Sequence, residues 1–309
     1  MDRAEIVHEA FVSRIARRDF PRGSEPSGPL EPSLAETVFR AQVLSRNLDR
    51  TSRRMQAAGQ GYYTIGSSGH EGMAAVAAAL RPDDMAFLHY RDGAFQAMRA
   101  AQCGTDPTRD MLLSFATARD DPISGGRHKV LGSLSLAIPP QTSTIASHLP
   151  KAVGAAYSIG AARRARPEHA RLASDGVILC SFGDASANHS TAQGAINSAC
   201  WTAYQSVPMP IVFVCEDNGI GISTRTPRGW IAANLAQRPG LKYIAADGLD
   251  IYDSYRAARE AADFARTQRR PVFLHLSTVR LYGHAGSDVQ QAYLDRTVFE
   301  GWEAEDPLL

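Results

Sequence analysis

Residues 176–190 read Gly-Val-Ile-Leu-Cys-Ser-Phe-Gly-Asp-Ala-Ser-Ala-Asn-His-Ser, and residues 210–221 read Pro-Ile-Val-Phe-Val-Cys-Glu-Asp-Asn-Gly-Ile-Gly. Each stretch opens on a continuous apolar run and closes on small, acidic, turn-forming residues. Between them Ala192, Ala195, Ile196, Ala199 and Ala203 recur at helical spacing. The order is therefore strand, helix, strand. Runs that are apolar on both faces and separated by a helical crossover belong to parallel neighbours, joined by a right-handed connection. Further strands are expected at Lys242 to Ala245 and Val272 to Arg280, with a helix from Tyr252 to Gln268 between them. The pattern predicts an α/β fold, a doubly wound parallel sheet with helices on both faces.

Upstream, residues 21–33 are dense in Pro, Gly, Ser and Glu, which favours extended, solvated backbone and divides an arm (1–33) from the body (34–309). Ser33, with Glu36 three residues on, has the form of a helix N-cap, and Leu34, Val38, Ala41, Leu44 and Leu48 follow with helical periodicity. A small-residue helix, MAAVAAAL, ends before Arg81-Pro82, and a short apolar run spans Met85 to Leu88. Helical periodicity disappears over 116–147, which reads as a long loop, either functional or disordered. Another helix begins at His148.

The 33 basic and 32 acidic residues leave a charge of +1, which removes the field-scale argument for nucleic acid or a membrane surface as partner. Only Lys129, Lys151 and Lys242 are lysines; the arginine bias favours forked recognition of carboxylate or phosphate, or reflects composition alone. Cys103, Cys180, Cys200 and Cys215 form no CxxC pair, and Cys180 and Cys215 lie in apolar runs as core residues. No apolar stretch reaches the length of a membrane span. Asp2, Glu5, Glu9 and Asp19 do not suit a transit peptide, so the expected location is cytoplasmic.

Open α/β sheets bind ligands beyond the carboxyl ends of their strands. Two polar clusters fall there: Gly183-Asp184-Ala185-Ser186 and Asp217-Asn218-Gly219-Ile220-Gly221. A carboxylate from one loop and an amide oxygen from the next can converge on a hard cation, while small residues let backbone N–H groups approach a phosphate. Alone, each cluster is also an ordinary turn after a strand. Their paired placement indicates a metal-bridged diphosphate site. No GxGxxG follows the first strand, which disfavours a dinucleotide site.

With these motifs the sequence resembles a known family, the thiamine diphosphate-dependent decarboxylating component of the 2-oxo acid dehydrogenase complexes, specifically its alpha subunit. GDASANHS and VCEDNGIGIST are similar to its Gly-Asp-Gly and Asn-Asn motifs. GHEGMAAVAAAL with HYRDG, TSTIASHLPKAVGAA and VRLYGHAGSD match further family segments in order, from about residue 34 to the end.

The resemblance implies a thiamine diphosphate-binding fold in which Asp184, the Asn218 amide and the Ile220 carbonyl bind Mg2+. It further implies that Tyr90 and Arg91 hold the diphosphate, that Gly183, Ala185 and Ser186 approach the cofactor by backbone, and that Ile145 props it into its bent shape. His284 is the implied catalytic residue, His128 and His148 are weaker candidates, and Tyr62 or Tyr63 matches a pocket aromatic. Without the family, Arg91 reads as an exposed helix residue, Tyr90 as core, Ile145 as a buried Ile and His148 as a cap or packing residue.

Several positions depart from the family pattern. Ala185 replaces the last glycine of Gly-Asp-Gly, so residue 185 should avoid positive φ. Asp217 replaces the first Asn, and the spacer between the motifs is longer than usual, with the surplus expected in the turn TAYQSVPMP, away from the site. Ala285 stands where some relatives carry a regulated serine. The implied reaction is decarboxylation of a 2-oxo acid, with acyl transfer to a lipoyl group on a partner acyltransferase component. The glutamate that activates the cofactor's pyrimidine ring would come from a beta subunit or a fused beta region. The end at WEAEDPLL implies a truncated chain or one cut from an alpha-beta fusion. Alternatives are an acetoin-cleaving enzyme of the same family and a non-catalytic structural or regulatory subunit; transketolase-like chemistry would need the pyrimidine half in the same chain.

Overall fold

The computed structural model describes residues 3–21, 28–62, 65–141 and 143–309. The chain opens with helices α1 (Arg3–Arg17), α2 (Pro32–Ala57) and α3 (Met73–Ala78), then strand β1 (Ala86–Phe87) and helices α4 (Gly93–Gln102) and α5 (Thr108–Phe115). A hairpin, β2 (Leu131–Ser133) and β3 (Ile138–Gln141), precedes α6 (Leu149–Ala165). The apolar runs of the motif region form β4 (Ile178–Gly183) and β5 (Ile211–Asp217), with α7 (Asp184–Ala187) and α8 (Ser190–Tyr204) between them. Then come α9 (Trp230–Leu235), β6 (Lys242–Asp247), α10 (Ile251–Gln268), β7 (Val272–Ser277) and α11 (Arg296–Ala304).

Five strands form one parallel sheet in the order β1-β4-β5-β7-β6. The doubly wound architecture follows from side-chain alternation in strands that are apolar on both faces. Leu179, Val212, Val214, Val272 and Leu274 pack with residues of α2, α3, α4 and α10. Ile178, Cys180, Phe182, Phe213, Cys215 and Phe273 face the other way, onto α6, α8 and α9. Cys180 and Cys215 are fully buried there, as their apolar context predicts. Phe182 meets Phe213 and Phe273 edge to face, with ring centroids 6.4 and 6.0 Å apart, an arrangement that adds to simple area burial. No described helix is long and apolar enough to cross a membrane.

Four local expectations are corrected. Ser33 lies inside the first turn of α2; the N-cap is Glu31 and Pro32 occupies the start, where a proline loses no helical hydrogen bond. Leu30, in the segment expected to be solvated, is buried in the main core, and residues 22–27 of that segment lie outside the described residues. The 116–147 loop contains the β2–β3 hairpin, with Pro139 and Pro140 inside a two-stranded ribbon that needs few ladder bonds from either. The last strand stops at Ser277, after which the chain leaves the sheet: Val279 and Leu281 donate to the carbonyls of Gly69 and Ser68 at 3.4 and 3.3 Å.

The amphipathic α1 buries Ala4 and Val7 against Val279, Leu281 and Tyr282. At the other end, Arg46 of α2 binds Asp306 through two hydrogen bonds of 2.9 Å and Glu71 at 2.6 Å, all in buried surroundings.

Candidate functional site

Parallel pairing aligns Gly183 of β4 with Glu216 of β5, and β1 lies on the far side of β4. All three strands thus deliver their following loops to one end of the sheet: 89–92 after β1, 184–187 after β4 and 217–226 after β5. This is the carboxyl edge at which α/β sheets carry ligands.

Asp184 is buried at the start of α7 and accepts a hydrogen bond from the Thr226 hydroxyl. Burial raises its carboxyl to about 6, with Asp217 pushing the same way and Thr226 opposing. Ala185 has helical backbone, as the loss of glycine requires, and is exposed; Ser186 is buried. A Cβ on Gly221 would stand 3.0 Å from the Ala185 Cβ, so the glycine at 221 admits the alanine at 185. The β5 loop is held by its own polar groups. The Asn218 Oδ1 accepts from the Ile220 N–H at 3.2 Å, Thr226 N–H donates to the Gly219 carbonyl at 2.9 Å, and Ile220 packs on Leu294 and Phe299.

Arg91 is only 3% exposed and Tyr90 half-buried, which overturns the reading of an exposed helix arginine beside a core tyrosine. The Arg91 guanidinium donates to the carbonyls of Gly66 at 2.6 Å and His284 at 3.2 Å and to His284 Nδ1 at 3.2 Å. It lies 5.2 Å from the Tyr90 ring centre, and the Tyr90 and His284 rings meet edge to face at 6.2 Å. Among the described residues no carboxylate pairs with Arg91. The His284 N–H donates to Asp288 at 2.6 Å, and burial, with Arg91 and Arg280 nearby, lowers the imidazole to about 4.

The weaker candidates fall elsewhere. His148 is buried at the N-cap of α6 but makes no capping bond; its Nε2 donates to the Ser181 carbonyl at 2.7 Å, and burial lowers it to about 4. His128 Nε2 lies 3.3 Å from the Ser143 hydroxyl. Ile145 is 41% exposed, not buried, and precedes Ala146, whose φ of 60° is a strained value for a residue with a Cβ. Tyr62 is 81% exposed, and Tyr63 lies outside the described residues. Ala285 is buried.

A second, deeper cluster was not singled out from the sequence. His70 Nδ1 lies 2.6 Å from Glu216 Oε2, His89 Nδ1 lies 3.3 Å from Glu216 Oε1, and Asn218 Nδ2 donates to His70 Nε2 at 3.1 Å. Asp92 beside them accepts from the Ser181 hydroxyl and, at 3.2 Å, from the His89 N–H. Burial pushes both imidazoles well below their usual range and Asp92 well above its own, and raises Glu216 to about 8. Gly69 makes this cluster accessible to His70: at φ 101°, its added Cβ would stand 2.0 Å from the Val279 carbonyl, so only glycine lets the turn lie against the strand extension.

A family model described as dehydrogenase E1 component matches residues 39–309. The chain is 28% identical to the alpha subunit of mitochondrial 2-oxoisovalerate dehydrogenase from Mus musculus, over 99% of this chain and 67% of that one. The Homo sapiens subunit gives the same identity and coverage. The alpha 2 subunit from Arabidopsis thaliana is 26% identical over 89% of this chain and 55% of its own. The chain thus spans about two thirds of the length of the mammalian relatives and less of the plant one. Matched over most of its length, the chain belongs to the dehydrogenase E1 component family, as an alpha-type subunit of a 2-oxo acid dehydrogenase.

Proposed function

We propose that this subunit forms the diphosphate-binding half of a thiamine diphosphate and Mg2+ site. The site serves oxidative decarboxylation of a 2-oxo acid, branched-chain or pyruvate type, with the acyl unit passed to a lipoyl group on an acyltransferase component. One observation carries the reading. Oxygen donors of the kind a hard divalent cation takes, the Asp184 carboxylate, the Asn218 amide and the Ile220 carbonyl, follow two paired strands, on the same sheet edge as the loop that bears a buried arginine lacking a carboxylate partner among the described residues. The donor set fits the cofactor.

Asp184, Asn218 and the Ile220 carbonyl would hold Mg2+, and Tyr90 and Arg91 the diphosphate, Arg91 through charge-assisted hydrogen bonds. Gly183, Ala185 and Ser186 would offer close backbone approach, and the exposed Ile145 an apolar support. When bound, thiamine diphosphate supplies the electron sink for loss of carbon dioxide. His284 is neutral at physiological pH and carries its proton on Nε2, so it enters the site as a hydrogen-bond donor rather than as an imidazolium. A beta subunit or fused beta region would add the pyrimidine-activating carboxylate; in support, the relatives are named alpha subunits.

The test is reconstitution of this chain with a candidate beta chain and thiamine diphosphate, followed by dye reduction driven by branched 2-oxo acids or pyruvate. Turnover is expected only with both chains. Activity on acetoin alone would select the acetoin-cleaving alternative, and cofactor binding without any turnover would select a structural or regulatory subunit.

A further inference from the structure

Beneath the loops that carry Asp184 and Asn218, three side chains from distant parts of the chain converge in the interior: His70 from the turn before α3, His89 from the end of β1 and Glu216 from β5. All are buried, and one ligand atom from each lies within 4.8 Å of the other two. Yet neither ring nitrogen of His89 has a hydrogen-bond partner, nor does Glu216 Oε1. Unsatisfied buried polar atoms are rare and costly, and two of these, His89 Nδ1 and Glu216 Oε1, stand 3.3 Å apart.

We propose that His70, His89 and Glu216 form a site for a divalent cation of the zinc class, separate from the Mg2+ site. Two imidazoles and a carboxylate are the donor set of a three-ligand zinc centre, whereas Mg2+ takes oxygen ligands almost alone. A tetrahedral ion with bonds of about 2.1 Å spaces its ligand atoms about 3.4 Å apart. The imidazole-to-Glu216 separations of 2.6 Å and 3.3 Å both fall short of that spacing, so the side chains move apart, His70 most, to admit an ion. The Asn218 amide N–H donates to His70 Nε2, which puts the His70 proton on Nδ1; coordination through Nδ1 moves that proton to Nε2 and turns the Asn218 amide so that its oxygen accepts it. Asp92 shares a side-chain hydrogen bond with Glu216, and opening that contact on ion binding would free a carboxylate as fourth donor. A bound ion would clamp the ends of β1 and β5 to the 67–71 turn and, through His70, fix the Asn218 amide. The inference rests on this cluster alone and stands whether or not thiamine diphosphate binds above it.

The test uses Co2+ as a spectroscopic substitute on the full chain, stripped by chelator and kept in excess Mg2+ so that oxygen-donor sites are filled. One equivalent of Co2+ should produce the intense visible bands of four-coordinate cobalt, and Zn2+ should abolish them stoichiometrically. The bands should be lost in His89→Gln and in Glu216→Gln, and kept in Asp184→Asn. Wild-type protein without such bands, bands that survive both cluster variants, or bands lost in Asp184→Asn would overturn the proposal. The wild-type titration and the Asp184→Asn control decide the matter even if a cluster variant fails to fold.

Discussion

Arg91 donates from Nη2 to Nδ1 of His284 at 3.2 Å, and a guanidinium can only donate, so the imidazole accepts at Nδ1 and keeps its proton on Nε2. The backbone N–H of His284 is tied to Asp288 at 2.6 Å, and the Tyr293 hydroxyl, which accepts from Arg280 at 2.8 Å, donates to the same Asp288 oxygen at 2.6 Å. Ring and backbone are therefore both fixed.

Arg91→Lys replaces this fork with a point charge. Thiamine diphosphate affinity should fall about tenfold or more, the scale of a lost charge-assisted contact. The 15N shifts of His284 should change from the pure Nε2–H form to a mixture of tautomers. An unchanged tautomer in the variant would show that Arg91 does not set it.

The close approach of Ala185 and Gly221 is reciprocal, which makes it suited to a double-mutant cycle. Gly221→Ala should cost about 1–3 kcal/mol by overpacking, measured by urea unfolding. Adding Ala185→Gly should recover much of that loss, although glycine in α7 itself costs about 0.5–1 kcal/mol. Strictly additive losses would place the two residues out of contact.

The buried Arg46 ties α2 to the chain's last residues through Asp306 and to the 69–71 turn through Glu71. Asp306→Ala removes one of two anions from a desolvated cation, for which the expected cost is about 3–5 kcal/mol. A shift in the urea midpoint with unchanged slope would register it. A loss below about 1 kcal/mol would mean that water or another acceptor replaces the carboxylate.

His148 is one of the histidines, with His70, His89 and His284, whose depressed values make stability fall as pH falls. Its folded value is depressed to about 4, so the unfolded chain takes up its proton first as pH falls. Its contribution is complete above the ordinary histidine value of about 6.5 and is lost as pH drops through that window toward 4. His148→Gln should flatten the stability profile between those pH values by about 3 kcal/mol. Chemical denaturation across that range checks the slope; a profile that keeps its full steepness in the variant contradicts the assignment.

The parts of the molecule legible in the sequence are those governed by local pattern. Apolar runs long enough to be buried on both faces gave β4 and β5, and the helical period between them gave α8, so the sheet and the edge carrying Asp184 and Asn218 followed. Leu30 and the β2–β3 hairpin escaped because Pro and Gly read as loop signals, and their packing partners lie far along the chain. The contact between His284 and Arg91 spans 193 positions, and that between His70 and Glu216 spans 146. The local hint of the deeper cluster is that His70, His89 and Glu216 each lie in a segment matched by the family resemblance: GHEGMAAVAAAL, HYRDG and VCEDNGIGIST.

The most direct test of the central claim is titration calorimetry of thiamine diphosphate into the chain, with and without Mg2+, for the wild type and Asp184→Asn. Binding should require Mg2+ in the wild type and disappear in the variant, with the variant's unfolding transition intact. Equal binding by both proteins, or no binding by the wild type even with a beta partner present, would contradict it.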